Sequence, residues 1–316
     1  MSDPRPRVLA DVPLAPAILQ LFEDRIEVVP WSRLQEAEQL PLDAIYTYGH
    51  PLVDGRLLDR CPGVRVISNY GVGVDHICLA DAGQRGIPVG NTPGVLDGAT
   101  ADMAFTLLMA AARRLVEGDR YARSAAFTRY DPGYMLGREV HHATLGIVGL
   151  GRIGRQIARR ARGFEMRVLY HNRRRSPVDE AELQVAYVTL DELLAGSDFV
   201  VLSVPLSDAT RGMIGALELA RMKPTAVLIN VARGPVVDTD ALTQALQRKA
   251  IFAAGLDVTD PEPLPRDHPL LALENVIIAP HLGSATTTTR QSMAEMSVRN
   301  LFAGLGGEPL PWSVSP

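Results

Sequence analysis

Lysine is almost missing from this chain of 316 residues: of its 32 basic side chains only Lys223 and Lys249 are lysine, and the other 30 are arginine. The shortage leaves no Gly-x-x-x-x-Gly-Lys-Ser/Thr phosphate loop and two candidates for a Schiff-base amine. Cysteine is equally scarce. Cys61 and Cys78 form no Cys-x-x-Cys pair and suggest no disulfide framework, so both read as small apolar residues. The histidines show no metal-ligand spacing, and adjacent His141 and His142 would face opposite ways on a strand, so no metal is expected. No signal-peptide pattern opens the chain, and no apolar run reaches the ~18 residues of a membrane span. A net charge of −4 offers no footprint for nucleic acid. The expectation is a cytoplasmic protein acting on a small molecule, without nucleic-acid or membrane partners.

What the chain does contain is length and apolar content (47%) enough for two cores. Short β-rich runs alternate with helical patterns. Strands are expected at Val8–Ala10, Ala44–Tyr46, Val66–Asn69, Leu145–Val148, Val168–Tyr170, Phe199–Ser203, Val227–Asn230, Ala253–Leu256 and Val276–Ala279, with helices such as Pro16–Phe22, Arg155–Arg162 and Thr239–Arg248 between them. This alternation predicts an α/β fold of βαβ units with parallel sheets covered on both faces. The Ala- and Leu-rich segment Thr100–Arg123 lacks proline and predicts one long helix after the Asn91-Thr-Pro-Gly94 turn cluster; Ser284–Leu305 predicts another.

The sequence Leu145-Gly-Ile-Val-Gly149-Leu-Gly151-Arg152-Ile153-Gly154 joins a strand to a helix through Gly-x-Gly-x-x-Gly. Gly149 permits the tight turn, Gly151 the approach of a pyrophosphate, and Gly154 close helix–strand packing, while the helix start near Arg152 and Ile153 aims free N–H groups at phosphate. A NAD site wants an acid about 20 residues further on, to accept from the ribose 2′-OH. Here the second strand ends in His171-Asn172-Arg173-Arg174-Arg175, without an acid. Guanidinium groups bind a 2′-phosphate that an acid would repel, which predicts NADPH over a weaker NADH, with Asn172 and Arg173 in direct contact and Arg174 beside them. Because this fingerprint begins near residue 145, the dinucleotide-binding domain is expected in the middle of the chain (99–284). The two ends (1–98 plus 285–316) would form a discontinuous substrate-binding domain, with the active site in the interdomain cleft.

Three strand ends carry further chemistry: Asn230-Val-Ala-Arg233-Gly-Pro, Gly255-Leu-Asp257-Val-Thr-Asp-Pro-Glu262-Pro and Ala279-Pro-His281-Leu-Gly-Ser284-Ala-Thr. A cation to hold and polarise a 2-oxo acid, an imidazole to give a proton and a carboxylate to orient the imidazole are the set its reduction needs. Arg233, His281 and Glu262 are the catalytic candidates.

With the fingerprint, these motifs resemble the D-2-hydroxyacid dehydrogenase family over almost the whole chain. The stretch from Gly255 through Pro-His-Leu-Gly-Ser-Ala-Thr to Gly-Gly-Glu-Pro309 is similar to glyoxylate/hydroxypyruvate reductases, and Glu139-Val-His-His-Ala-Thr-Leu-Gly is similar to bacterial reductases that also accept 2-ketogluconate. The resemblance implies two Rossmann-like domains, a trio of Arg233, Glu262 and His281, and a Gly71-Val72-Gly73 loop whose N–H groups at Val72 and Gly73 hold the substrate carboxylate. It places Ser284 near the substrate's oxygens. Thr100, Val204, Pro205, Thr210, Val231 and Asp257 would line the cofactor, Asp257 near the nicotinamide. It also implies a homodimer with the Thr100–Arg123 helix at its interface. The expected reaction is NADPH-dependent reduction of glyoxylate to glycolate and of hydroxypyruvate to D-glycerate. Reduction of 2-ketogluconate or hydroxyphenylpyruvate is the alternative within the family. A dinucleotide-sensing co-repressor is the alternative outside catalysis, and the intact trio argues against it. In one place the chain departs from the pattern. Where the mammalian-type reductase presents a Trp from its partner, this chain has Tyr130-Asp-Pro-Gly-Tyr134-Met135, and its tryptophans are Trp31 and Trp312.

Overall fold

A computed structural model describes residues 5–314. Its strands are β1 (Arg7–Ala10), β2 (Glu27–Pro30), β3 (Ala44–Thr47), β4 (Val66–Asn69), β5 (Val89–Gly90), β6 (Thr144–Val148), β7 (Arg167–His171), β8 (Ala186–Tyr187), β9 (Phe199–Leu202), β10 (Val227–Asn230), β11 (Ala253–Leu256), β12 (Val276–Ile278) and β13 (Ser313–Val314). The α-helices are α1 (Pro16–Phe22), α2 (Gly55–Arg60), α3 (Leu79–Gln84), α4 (Asp97–Ala112), α5 (Leu115–Ala122), α6 (Arg152–Ala161), α7 (Pro177–Leu183), α8 (Leu190–Gly196), α9 (Ala216–Arg221), α10 (Thr239–Gln247) and α11 (Thr287–Leu305). The chain divides into two compact units, Met1–Leu96 with Thr286–Pro316, and Asp97–Ala285.

The first unit has a sheet of order β13-β5-β4-β3-β1-β2, parallel except for the antiparallel β13–β5 pair. Read from β2, the parallel strands follow the doubly wound order 2-1-3-4-5. β3 and β4 are buried along their whole length, and β4 carries the polar Ser68 and Asn69 beside Val66 and Ile67. Buried polar contacts fix α11 on this sheet. The hydroxyls of Tyr46 and Ser297 meet at 2.7 Å, Ser297 donates to the carbonyl of Met293 at 2.8 Å, and Ser68 donates to the carbonyl of Ser297 at 2.7 Å.

The second unit has the order β12-β11-β10-β9-β6-β7-β8, entirely parallel. Counted from β6, this is the 3-2-1-4-5-6 Rossmann order with one strand added, and the order reverses between β6 and β9. Ligands of open α/β sheets sit outside the carboxyl ends of the strands at such a reversal. One face packs Leu145, Ile147, Val201 and Ile229 against Leu108 of α4 and Ile157 of α6. The other packs Val200, Leu202 and Leu228 against Leu193, Leu219 and Leu242 of α8, α9 and α10.

The expected long helix is broken. α4 ends at Ala112, Arg114 takes a left-handed conformation (φ 52°), and α5 starts afresh at Leu115. The carbonyl of Ala112, which a continuous helix would offer to the N–H of Val116, instead accepts from the N–H of Arg138 at 2.8 Å. The last helix starts at Thr287 rather than Ser284, capped by the Thr286 hydroxyl, which accepts from the N–H of Thr289. No helix of the described residues is long and apolar enough to cross a membrane.

Removing the Ser297 hydroxyl strands the fully buried Tyr46 phenol without its partner. Ser297→Ala is expected to cost about 1–3 kcal/mol, and adding Tyr46→Phe should recover part of that loss. Urea unfolding of the single and double variants checks this; a double variant weaker than Ser297→Ala alone would contradict the buried pairing.

Candidate active site

The turn after β6 is shaped for a phosphate group. Gly149 lies at φ 101°, and a Cβ there would stand 2.8 Å from the carbonyl oxygen of Ser203. A Cβ on Gly154 would stand 2.2 Å from the carbonyl oxygen of Gly149, so α6 can lie this close to the turn only with glycine. Around Gly151, by contrast, a Cβ would meet nothing within 4 Å. Gly151 is the N-cap of α6 and provides no side-chain cap, so the N–H groups of Arg152 and Ile153 begin the helix without intrahelical acceptors. An open glycine at an uncapped helix N-terminus fits the pyrophosphate of a dinucleotide.

The arginines nearby divide sharply. On α6 and just beyond it, Arg155 pairs with Asp179, Arg159 with Glu182 and Arg160 with Asp102, while Arg162 donates to the carbonyl of Glu182. In the loop after β7, Arg175 is bidentate to Glu180, its Nη2 at 2.6 Å. Arg173 and Arg174 are exposed and form no ion pair among the described residues. Asn172, expected to face the ligand, has its Oδ1 committed to the N–H of Leu150 at 2.7 Å. Beyond β9, Val204 and Pro205 lead into a turn closed by Thr210, whose hydroxyl donates to the carbonyl of Pro205 at 2.7 Å and accepts from the N–H of Ser207 at 2.9 Å. Val231 is buried where β10 ends.

β10, β11 and β12 run in register, pairing Asn230 with Leu256 and Leu256 with Ile278, so their carboxyl ends deliver three loops side by side. Asn230 is buried and makes an Asx turn: Oδ1 accepts from the N–H of Ala232 at 3.0 Å, and Nδ2 donates to the carbonyl of Arg233 at 3.0 Å. Sequence reading passed over this residue, although an Asn two residues before an Ala–Arg turn is a legible signal. The Arg233 guanidinium donates to the carbonyl of Ala232 at 2.9 Å. A Cβ on Gly234 would stand 1.9 Å from the carbonyl oxygen of Thr259, so the arginine loop lies directly on the loop that carries Glu262.

Asp257 holds the third loop. It is 2% exposed, and its two carboxylate oxygens accept from the N–H groups of Leu282 at 2.7 Å and Gly283 at 2.8 Å. Its carbonyl accepts from the N–H of His281 at 2.9 Å. Burial raises the Asp257 carboxyl above the usual range, and the two N–H donors oppose that rise. The loop so held puts His281 at φ 56°, a left-handed conformation uncommon outside glycine. There the imidazole Nδ1 lies 2.9 Å from Oε1 of Glu262. A carboxylate can only accept, so Nδ1 carries the hydrogen of this bond. Thr100, buried on α4, sits under the same loop, within 3.4 Å of a Cβ built on Gly283, and Ser284 follows half-buried.

In the first unit, the loop after β4 has its carbonyls tied back. Asn69 donates to the carbonyls of Gly71 and Gly73 at 3.0 and 2.9 Å, and Asn91 to that of Val72 at 2.8 Å. Among the described residues the N–H groups of Val72 and Gly73 have no acceptor, which leaves two adjacent donors suited to an anion. Among those residues no group of three or more His, Cys, Asp or Glu could hold a metal ion.

Residues 105–283 match the family model described as "D-isomer specific 2-hydroxyacid dehydrogenase, NAD binding domain". The chain is 46% identical to the glyoxylate reductase of Thermococcus gammatolerans, over 94% of this chain and 92% of that protein. Among solved structures, a Thermus thermophilus protein superposes with a TM-score of 0.88 at 44% identity, covering 98% of this chain and 99% of that one. The NADPH-dependent glyoxylate/hydroxypyruvate reductase of Sinorhizobium meliloti, in complex with NADP and malonate, gives a TM-score of 0.89 at 33% identity, covering 98% and 97%.

The Asp257 arrangement has a signed pH consequence. A carboxyl raised in the folded chain binds its proton more tightly there than when unfolded, so its contribution to stability declines as pH rises past the ordinary Asp value of about 3.9. Asp257→Asn has no proton to exchange and supplies one acceptor for two donors, at a cost of about 1–3 kcal/mol. The stability advantage of the parent chain over this variant should be greatest at acid pH and shrink toward neutrality. Urea unfolding from roughly pH 4 to roughly pH 7 measures it; an advantage that grows with pH would contradict the account.

Proposed function

This chain belongs to the D-isomer specific 2-hydroxyacid dehydrogenase family, oxidoreductases built around a nicotinamide-dinucleotide-binding domain, and we propose that it reduces glyoxylate to glycolate and hydroxypyruvate to D-glycerate with NADPH. The observation that carries the reading is the 2.9 Å bond between His281 and Glu262 on a loop interlocked with that of Arg233. The names of its relatives support the substrate class.

The Gly149–Gly154 turn and the first N–H groups of α6 would hold the pyrophosphate, with Thr100, Val204, Pro205, Thr210, Val231 and Asp257 shaping the remainder of the cofactor site. When bound, the reduced nicotinamide supplies the hydride for the carbonyl carbon of the substrate. Everything else falls to this chain's own residues. Val72 and Gly73 bind the substrate carboxylate through their free N–H groups, and Ser284 contacts its oxygens. Arg233 neutralises the carboxylate and draws electron density toward the carbonyl oxygen. His281 gives its Nε2 proton to that oxygen as negative charge develops there. Glu262 keeps the ring oriented through Nδ1. The preference for NADPH over NADH rests on the exposed Arg173 and Arg174 and on the absence of an acid at the end of β7.

We extend the proposal to a homodimer. Large apolar side chains stand exposed in one stretch, Leu115, Phe127, Tyr130, Tyr134 and Leu136, with Tyr130 at 82% and Leu136 at 68% exposure. So concentrated an apolar surface suits a second copy of the chain.

Loss of a single positioned general acid costs about 10²–10⁴-fold. His281→Ala should lose that factor in kcat while binding of NADPH, measured by fluorescence titration, stays near the parent value. Unchanged turnover would remove His281 from its role. Sedimentation should give twice the 34.2 kDa chain mass, and Tyr130→Arg with Leu136→Arg should shift it toward one chain; a monomeric parent would refute the dimer.

A further inference from the structure

We propose that Asn172 is a positioning residue that clamps the glycine-rich turn to the arginine loop and so shapes the cofactor site for either dinucleotide, without the charge by which an acid there would repel a 2′-phosphate. The inference rests on the NADPH reading above and deepens it.

The end of β7 ties to the turn twice in succession. The carbonyl of His171 accepts from the N–H of Gly149 at 3.0 Å, and Oδ1 of Asn172 accepts from the N–H of Leu150 at 2.7 Å. These bonds fall on the two residues just before Gly151, where the turn opens toward the phosphates. Without the second, the N–H of Leu150 would lose its only acceptor among the described residues.

The far end of the arginine loop is anchored as firmly. The N–H of Ser176 donates to the Tyr170 hydroxyl at 2.9 Å, and that hydroxyl donates to Glu180 at 2.8 Å. Arg175 grips the same Glu180 through two nitrogens, and the Ser176 hydroxyl donates at 2.6 Å to buried Asp179, which Arg155 also holds. Arg173 and Arg174 therefore span a short bridge fixed at both ends. Arg175 serves as one of its anchors and not as a ligand.

The chemistry of the clamp decides what it can face. The Asn172 amide braces the N–H of Leu150 through Oδ1 and carries no charge to repel a phosphate. A carboxylate in its place could brace Leu150 with one oxygen and offer the other to a ribose 2′-OH, while repelling a 2′-phosphate. A neutral amide at this position thus braces the turn without excluding a phosphorylated ribose.

Dissociation constants for NADPH and NADH, read by fluorescence titration of the full-length protein, separate the two roles. Asn172→Ala should weaken both cofactors by a similar factor, about tenfold. Asn172→Asp, isosteric and able to brace, should bind NADH within about threefold of the parent and NADPH about tenfold or more weakly. Loss confined to NADPH in Asn172→Ala would make Asn172 a direct phosphate ligand and overturn the proposal; no change for either cofactor, or equal losses in Asn172→Asp and Asn172→Ala, would do the same. Should thermal melting show that Asn172→Ala fails to fold, Asn172→Asp alone decides. Arg173→Ala judges the underlying reading separately. A loss limited to NADPH supports a 2′-phosphate site, and equal effects on both cofactors reject that site while leaving the brace to the Asn172 variants.

Discussion

A carboxylate buried with two backbone N–H groups as its partners is the constraint on which the candidate active site depends. Asp257 cannot turn to solvent, and desolvation makes its charge costly unless Leu282 and Gly283 donate to it. Meeting that demand fixes the path of the chain after β12 and forces His281 into a left-handed conformation. Strain of this kind persists only where surrounding contacts over-determine it, and it clusters where chemistry is done. In that conformation the imidazole lies 2.9 Å from Glu262. Arg233 follows by the same logic one strand over, since its loop can lie on Thr259 only through the bare backbone of Gly234.

The scarcity of lysine acquires a meaning in this setting. Nine arginines lie between Arg152 and Arg175, and most are spent on structure: four hold α6 and the turn after it to neighbouring elements, and Arg175 anchors its own loop. A planar guanidinium suits these forked contacts to carboxylates and carbonyls better than an ammonium does. Among the described residues Arg152, Arg167, Arg173 and Arg174 form no ion pair, and of these only Arg173 and Arg174 follow the end of β7.

Much of this was legible in the sequence. The glycine fingerprint carries its own geometry, because only glycine tolerates φ 101° at residue 149 or a backbone oxygen 2.2 Å from a Cβ at residue 154. The buried strands β9, β10 and β11 announced themselves as apolar runs. Two-residue strands such as β5, β8 and β13 carry too little pattern to be seen, and β2, with only Val29 buried, lacks the apolar signal. The break between α4 and α5 depends on Arg138, distant in sequence, taking the carbonyl of Ala112, which no local propensity records. The same limit hid what the polar side chains do. Asp257 and Asn172 spend their oxygens on backbone N–H groups that only the folded chain brings within reach.

The proposed reduction needs a proton-donating His–Glu pair beside a cationic substrate anchor and a phosphate-reading cofactor site. Its most direct test is the initial rate of nicotinamide oxidation by the purified parent chain, with glyoxylate and hydroxypyruvate each offered alongside NADPH and NADH. Turnover of both acids is expected, with kcat/KM for NADPH at least about tenfold above that for NADH. No turnover of either acid, or a preference for NADH, would contradict it.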